Sequence, residues 1–188
     1  SISMAGATVS NPGNVEAVFY NPANLSNLKG SSFLVGSTMF YEQENLEYQF
    51  AALSFKLDNK NAMTFTIQKL GVNADQYSHD LSSETAISMS QGFHLLNDRN
   101  SSLSIGYNAN YFILSQGNSA GTAGDGSNGI LGKTMYAFGL DIGVIASLRE
   151  KVFLGAFIKN INSPRIGRGS NAQFLPRRLN IGCSYHPT

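Results

Sequence analysis

The sequence predicts an all-β protein, an antiparallel up-and-down β-barrel whose strands cross a membrane, preceded by a short non-strand N-terminal segment. Three observations lead there. Long stretches alternate between apolar and small polar side chains, short and long connections take turns along the chain, and charge is scarce. Charged residues are 13% of the 188 positions, about half the roughly 25% of soluble domains. Hydrophobic residues are an ordinary 42%, so Gly, Ser and Asn fill the space that charge leaves. Strands with one apolar and one weakly polar face have this composition.

Residues 1–30 stand apart. They carry two Asn-Pro steps, Asn11-Pro12 and Asn21-Pro22, around the apolar Val15, Val18 and Phe19. Asn11 is placed to cap a helical turn begun by Pro12, and Pro22 to break it. The reading is a compact non-strand segment over 1–30 and barrel strands over 31–188. The first residues lack the basic start and apolar middle of a signal peptide, so an exported chain would already have lost one.

From Ser32 onward period-2 patterning takes over, the mark of strands with unlike faces. Weaker alternation marks strands near 32–41 and 47–57. Met63, Phe65 and Ile67 then oppose Thr64, Thr66 and Gln68, and a further strand lies near 84–95. The clearest case sets Leu103, Ile105, Tyr107, Ala109, Tyr111 and Ile113 against Ser102, Ser104, Gly106, Asn108 and Asn110. Tyr136, Phe138, Leu140, Ile142 and Val144 likewise oppose Ala137, Gly139, Asp141 and Gly143. A strand near 152–160 and one carrying Leu179, Ile181, Cys183 and Tyr185 complete about eight, joined as hairpins because most connections are too short for crossovers.

Tight turns fall at 58–61, 97–100 and 149–151, and longer loops at 71–83, 115–133 and 161–174. Only the connection at Glu42–Asn45 is shorter than its place in the series suggests. All long loops therefore leave one end of the sheet, as in outer-membrane barrels. Tyr41, Tyr48, Tyr111 and Tyr136 lie toward that end, where an aromatic girdle would hold apolar rings in lipid and hydroxyls in water. The plainer reading is that Tyr is common in strands.

The physical case for lipid rests on both faces. A sheet in a bilayer must satisfy every backbone group internally and so must close on itself. A soluble sheet normally carries Lys, Glu and Arg on its wet face, whereas the stretch at 102–113 has none. Its reverse therefore reads as lumen-facing: Ser104, Asn108 and Asn110, joined by Asp141 and by His94. These residues either line a polar path or simply fill and wet the interior. Eight strands would close only a narrow, side-chain-filled barrel. Further strands are expected beyond the present ones; the rival is a complete small barrel with 1–30 outside it.

Several chemistries are excluded. A net charge of +1 without a basic cluster gives nucleic acid nothing to bind. Cys183 is the lone cysteine, and His79, His94 and His186 lack metal-ligand spacing. No metal or other cofactor is expected. Gly129 to Thr134 looks like a P-loop ending, but Ser127 stands where the motif needs Gly and a strand follows Lys133. No Ser–His–Asp set can be assembled, so an enzyme is not expected.

The segment Gly6-Ala7 through Val18-Phe19-Tyr20-Asn21-Pro22-Ala23-Asn24-Leu25 resembles the N-terminal motif of the FadL-like outer-membrane proteins, which include long-chain fatty acid transporters and the PorV-type proteins of type IX secretion. Gly71 after Ile67-Gln68-Lys69-Leu70, and Phe157-Ile158-Lys159-Asn160-Ile161 with Leu175-Pro176, also resemble that group. The resemblance implies that residues 1–30 are a hatch plugging a barrel of about fourteen strands, of which this chain supplies about eight. It makes Asn21, Pro22 and Ala23 the leading functional candidates, either fixing a gating plug or only aiming the chain into its first strand. Outer-membrane localisation in a diderm bacterium follows from the same resemblance. The Phe-Tyr-Asn-Pro-Ala wording leans toward the PorV side, which implies docking of exported cargo or a secretion translocon through the long loops. The alternatives are a transporter for a hydrophobic small molecule, a structural barrel subunit of an envelope assembly, and a soluble β-sandwich binding module.

Overall fold

The alternating stretches form strands, and the described part of the N-terminal motif does not. The computed structural model describes residues 19–39, 45–74, 79–118, 128–149, 151–167 and 172–185. A six-residue 3-10 helix, Pro22–Asn27, comes first. The strands are β1 Ser32–Met39, β2 Leu46–Lys56, β3 Asn61–Ala74, β4 His79–Asn97, β5 Ser101–Gln116, β6 Lys133–Leu148, β7 Val152–Lys159, the two-residue β8 Arg165–Ile166 and β9 Gln173–Phe174, and β10 Arg178–Tyr185. Each of β1 to β7 pairs antiparallel with its sequence neighbour, and β10 pairs with β7. The result is an eight-stranded meander; β8 and β9 form a separate small ladder in the connection before β10.

The sheet is not closed. β1 and β10 are its edges, with no ladder between them among the described residues. The expectation of a barrel thus holds at the coarser level of an antiparallel all-β sheet.

Strands run further into the long connections than the sequence suggests. β3 and β4 take up most of 71–83, so His79 begins a strand rather than lying in a loop. β5 and β6 likewise narrow the expected 115–133 loop to 117–132. Backbone groups of these residues find ladder partners, which outweighs their weak alternation.

Register decides what each face carries. Ser54, Thr64, Ser90, Asn108 and Asp141 stand opposite one another in turn from β2 to β6, all buried. The next row reads Ala62, Gly92, Gly106 and Gly143 from β3 to β6. This is the inner face. The other face carries Phe33, Val35, Phe65, Ile67, Ile87, Phe138, Leu140 and Ile142, all exposed. No second sheet packs over it among the described residues. Ile105 and Tyr107 on the same face are half-exposed.

The small apolar core lies beneath the 3-10 helix, where Leu25 and Leu28 pack on Ala62 with Phe19 beside them. Burying one such leucine is worth about 1.5–3 kcal/mol, which is enough to seat the helix but not to make an ordinary globular core.

Candidate functional site

The site is the inner face with the helix seated on it. Asn21 caps that helix, its Oδ1 accepting from the Ala23 N–H at 3.0 Å. Pro22 occupies the first helical position, where a missing N–H costs nothing and a fixed φ helps. Pro22 starts this helix, and the turn expected to begin at Pro12 and end at Pro22 lies mostly outside the described residues. Asn11 and Pro12 lie outside the described residues.

Asn21 also reaches the wall. Its Nδ2 donates to the carbonyls of Val144 and Ala156, at 3.2 and 3.3 Å, which face each other across β6 and β7. Such proximity needs wall residues without side chains. A Cβ at Gly92 would stand 2.5 Å from the Pro22 carbonyl oxygen and 2.9 Å from Leu25 Cβ. At Gly106 it would overlap the Pro22–Ala23 peptide, and at Gly143 the Asn21 side-chain oxygen. Three glycines in one cross-strand row thus form the seat of the helix.

A polar relay fixes the helix on its other side. Ser26 Oγ donates to the Ala23 carbonyl at 2.8 Å and shares a hydrogen bond with Ser104 Oγ at 2.9 Å, and Ser104 Oγ meets His94 Nδ1 at 2.8 Å.

Next to the seat, the Asp141 carboxylate is 2% exposed. It accepts from Asn110 Nδ2 at 2.7 Å, from Asn108 Nδ2 at 3.3 Å and from the Asn160 N–H at 2.7 Å. Asn160 adopts the left-handed conformation, φ 55°, which Asn tolerates better than most residues. There the chain leaves the sheet: β7 pairs with β6 only from Ile142 to Leu148. Beyond it, the Asn162 side chain stands in for a strand, accepting from Leu140 N at 2.9 Å and donating to the Phe138 carbonyl at 2.8 Å.

The departing segment covers a cavity of about 470 Å3 toward the long-loop end. Leu70, Ala86, Phe112, Leu114, Ile166 and Leu175 give it apolar walls, and its charged lining is two cations, Lys159 and Arg178, and one carboxylate, Glu84.

Ser104, Asn108, Asn110, Asp141 and His94 all stand on the inner face; the first four are buried in hydrogen-bonded contacts, and His94 is half-buried. Tyr111 and Tyr136 stand on the outer face, exposed and stacked at 5.9 Å. Tyr48 does not join them. It shares the parity of Ala52 and Ser54, so it faces inward and donates to Gln68 Oε1 at 2.7 Å. Weak alternation in β2 concealed that parity. Tyr41 and His186 lie outside the described residues. Asn160, Asn162 and Lys159 went unrecognised as site residues because their roles depend on a local departure from the sheet. The glycine row was visible only as scattered small residues until register aligned it. The P-loop-like stretch holds no helix: Lys133 and Thr134 begin β6.

No protein-family model matches the chain, and no characterised protein matches it either.

Proposed function

We propose that this chain forms the plug-bearing wall of an outer-membrane β-barrel of the FadL-like kind, and that it holds a hydrophobic ligand at its long-loop end. The membrane part of this reading is supported by the uncovered apolar face. Leu103 to Ile113 covers about ten strand steps of roughly 3.3 Å, or about 25 Å once tilted as barrel strands are. That matches the apolar band of such barrels. No described helix is long and apolar enough to cross a membrane; in this reading the strands would do so.

The observation that carries the ligand reading is the cavity of about 470 Å3. Its apolar walls would take a hydrocarbon chain, while Lys159 and Arg178 would meet an acidic end. The plug below it, seated on Gly92, Gly106 and Gly143, would limit onward passage.

A second reading, docking of exported cargo or a secretion translocon, draws support from strand length. β4 has 19 residues, and β5 and β6 have 16 each, against the roughly 9–11 that cross a bilayer. The surplus would rise above the membrane as stiff hairpins fit to contact a protein.

One comparison separates the two. Full-length protein in nanodiscs is titrated with a fluorescent long-chain fatty acid, alongside Phe112→Arg and a deletion between Gly117 and Gly132. The ligand reading expects Phe112→Arg to weaken binding at least tenfold and the deletion to leave it within about twofold. Absence of binding by the parent protein would overturn it. Recovery of the parent as a folded monomer in the aqueous phase without detergent would overturn the membrane reading itself.

A further inference from the structure

A second, smaller void lies in the polar part of the inner face. Its volume is about 40 Å3, room for a guest about the size of one water molecule. Phe19 and Phe157 line its apolar side, and Ser88, Ser90, Thr66, Asn108, Asn110 and Asp141 line its polar side.

Two features of this void do not balance. Asp141 is 2% exposed, yet each donor identified to its carboxylate, from Asn108, Asn110 and the Asn160 backbone, is neutral. A buried carboxylate without a compensating charge is costly. Independently, Asn108 is 7% exposed and its Oδ1 is buried without any hydrogen-bond partner. The Nδ2 of the same amide already donates to Asp141, so exchanging the two amide atoms would turn an acceptor toward the carboxylate. The void therefore faces the Asp141 carboxylate and one unmet acceptor, with hydroxyl oxygens around them and the Lys159 side chain also in its lining.

We propose that this void is a site for one alkali-metal cation of about sodium's size, held by the Asp141 carboxylate and Asn108 Oδ1 with help from the Ser88, Ser90 and Thr66 hydroxyls. An oxygen set suits a hard cation. A single carboxylate neutralises one charge, and no group of three or more acidic, His or Cys residues suited to a metal occurs among the described residues, so the fit is to a monovalent ion. Water could meet the orphan acceptor but would leave the charge uncompensated. Lys159 lines the same void from β7 but is exposed, and it is the rival source of positive charge. The site would tie β4, β5 and β6 together beside the plug, and it does not depend on what meets the long-loop end.

The test uses full-length protein in nanodiscs, unfolded thermally in sodium, potassium, lithium or choline chloride at equal ionic strength. Sodium should raise Tm over choline saturably, by about 2–6 °C when well above its Kd. Asp141→Asn should abolish that increment, Asn108→Ala should reduce it, and Lys159→Gln should leave or enlarge it. Sodium-23 line broadening by the parent protein, competed by unlabelled lithium or potassium, gives a readout that survives if Asp141→Asn does not fold. Equal Tm values in all four salts, an increment unchanged in Asp141→Asn, or no sodium-23 broadening by the parent would each overturn the proposal. A salt response that appears only in Lys159→Gln would do so as well, by making Lys159 the counterion.

Discussion

The side-chain oxygen of Asn21 occupies the space that a Cβ on Gly143 would need. Two residues far apart in sequence thus fix each other's identity: the helix start comes this close only because β6 carries no side chain there. Gly143→Ala should lift the helix's first turn and cost about 1–3 kcal/mol, the usual penalty for overpacking. Gly30→Ala is the control, because a Cβ there meets nothing within 4 Å. Hydrogen exchange across 19–28 should accelerate in the first variant and not in the second.

Asn21 acts both as acceptor and as donor, and two substitutions separate the roles. Asn21→Ala loses the cap to Ala23 and both bonds to the wall, and should cost about 1–3 kcal/mol. Asn21→Asp keeps the cap but turns a carboxylate oxygen toward the Val144 and Ala156 carbonyls. It should be at least as destabilising, despite being the closer mimic in shape. Denaturant unfolding of the two variants in the same lipid system would check the order.

On the outer face, Ile142 is 38% exposed. If its neighbours are lipid chains, Ile142→Arg should cost about 2–4 kcal/mol near the bilayer midplane. If its neighbours are water, the same change should stay within about 0.5 kcal/mol. Reversible folding into liposomes distinguishes the two values.

The short turn after β2 offers a pH test outside the strands. Asp58 accepts from the Lys60 and Asn61 N–H groups at 2.6 and 2.8 Å and from Asn61 Nδ2 at 2.7 Å. The Lys60 backbone bond first, then the Asn61 side chain, holds its carboxyl below the ordinary 3.8. A depressed folded value stabilises the turn above the unfolded pKa, and the benefit fades as pH falls through the folded value. A carbon-13 titration of the Asp58 carboxyl should show a midpoint under 3.8, and Asn61→Ala should raise it.

Much of the sheet was legible because alternation is local. Ser102 to Ile113 announces both faces of β5 without help from its neighbours. β2 did not, because Phe50 and Tyr48 put aromatics on the inner face and Gln49 and Glu47 put polar groups on the outer one. Tyr48 was misassigned for that reason. The Asn-Pro-Ala segment was recognisable, but its seat was not, since Gly92, Gly106 and Gly143 come together only through pairing register. Asn160 and Asn162 were harder still. Asn160 turns the chain off the sheet and the Asn162 amide finishes a strand pairing that the backbone abandons, and no period in the sequence records that.

The most direct test of the central claim is a nitroxide scan along β6, from 137 to 143, in full-length protein reconstituted in a bilayer with Cys183→Ser removing the native thiol. The account predicts that labels at Phe138, Leu140 and Ile142 collide freely with oxygen dissolved in lipid and little with a water-soluble nickel chelate. Labels at Ala137, Gly139, Asp141 and Gly143 should be shielded from oxygen. Collision with the nickel chelate at the even positions, or no difference between the two sets, would contradict it.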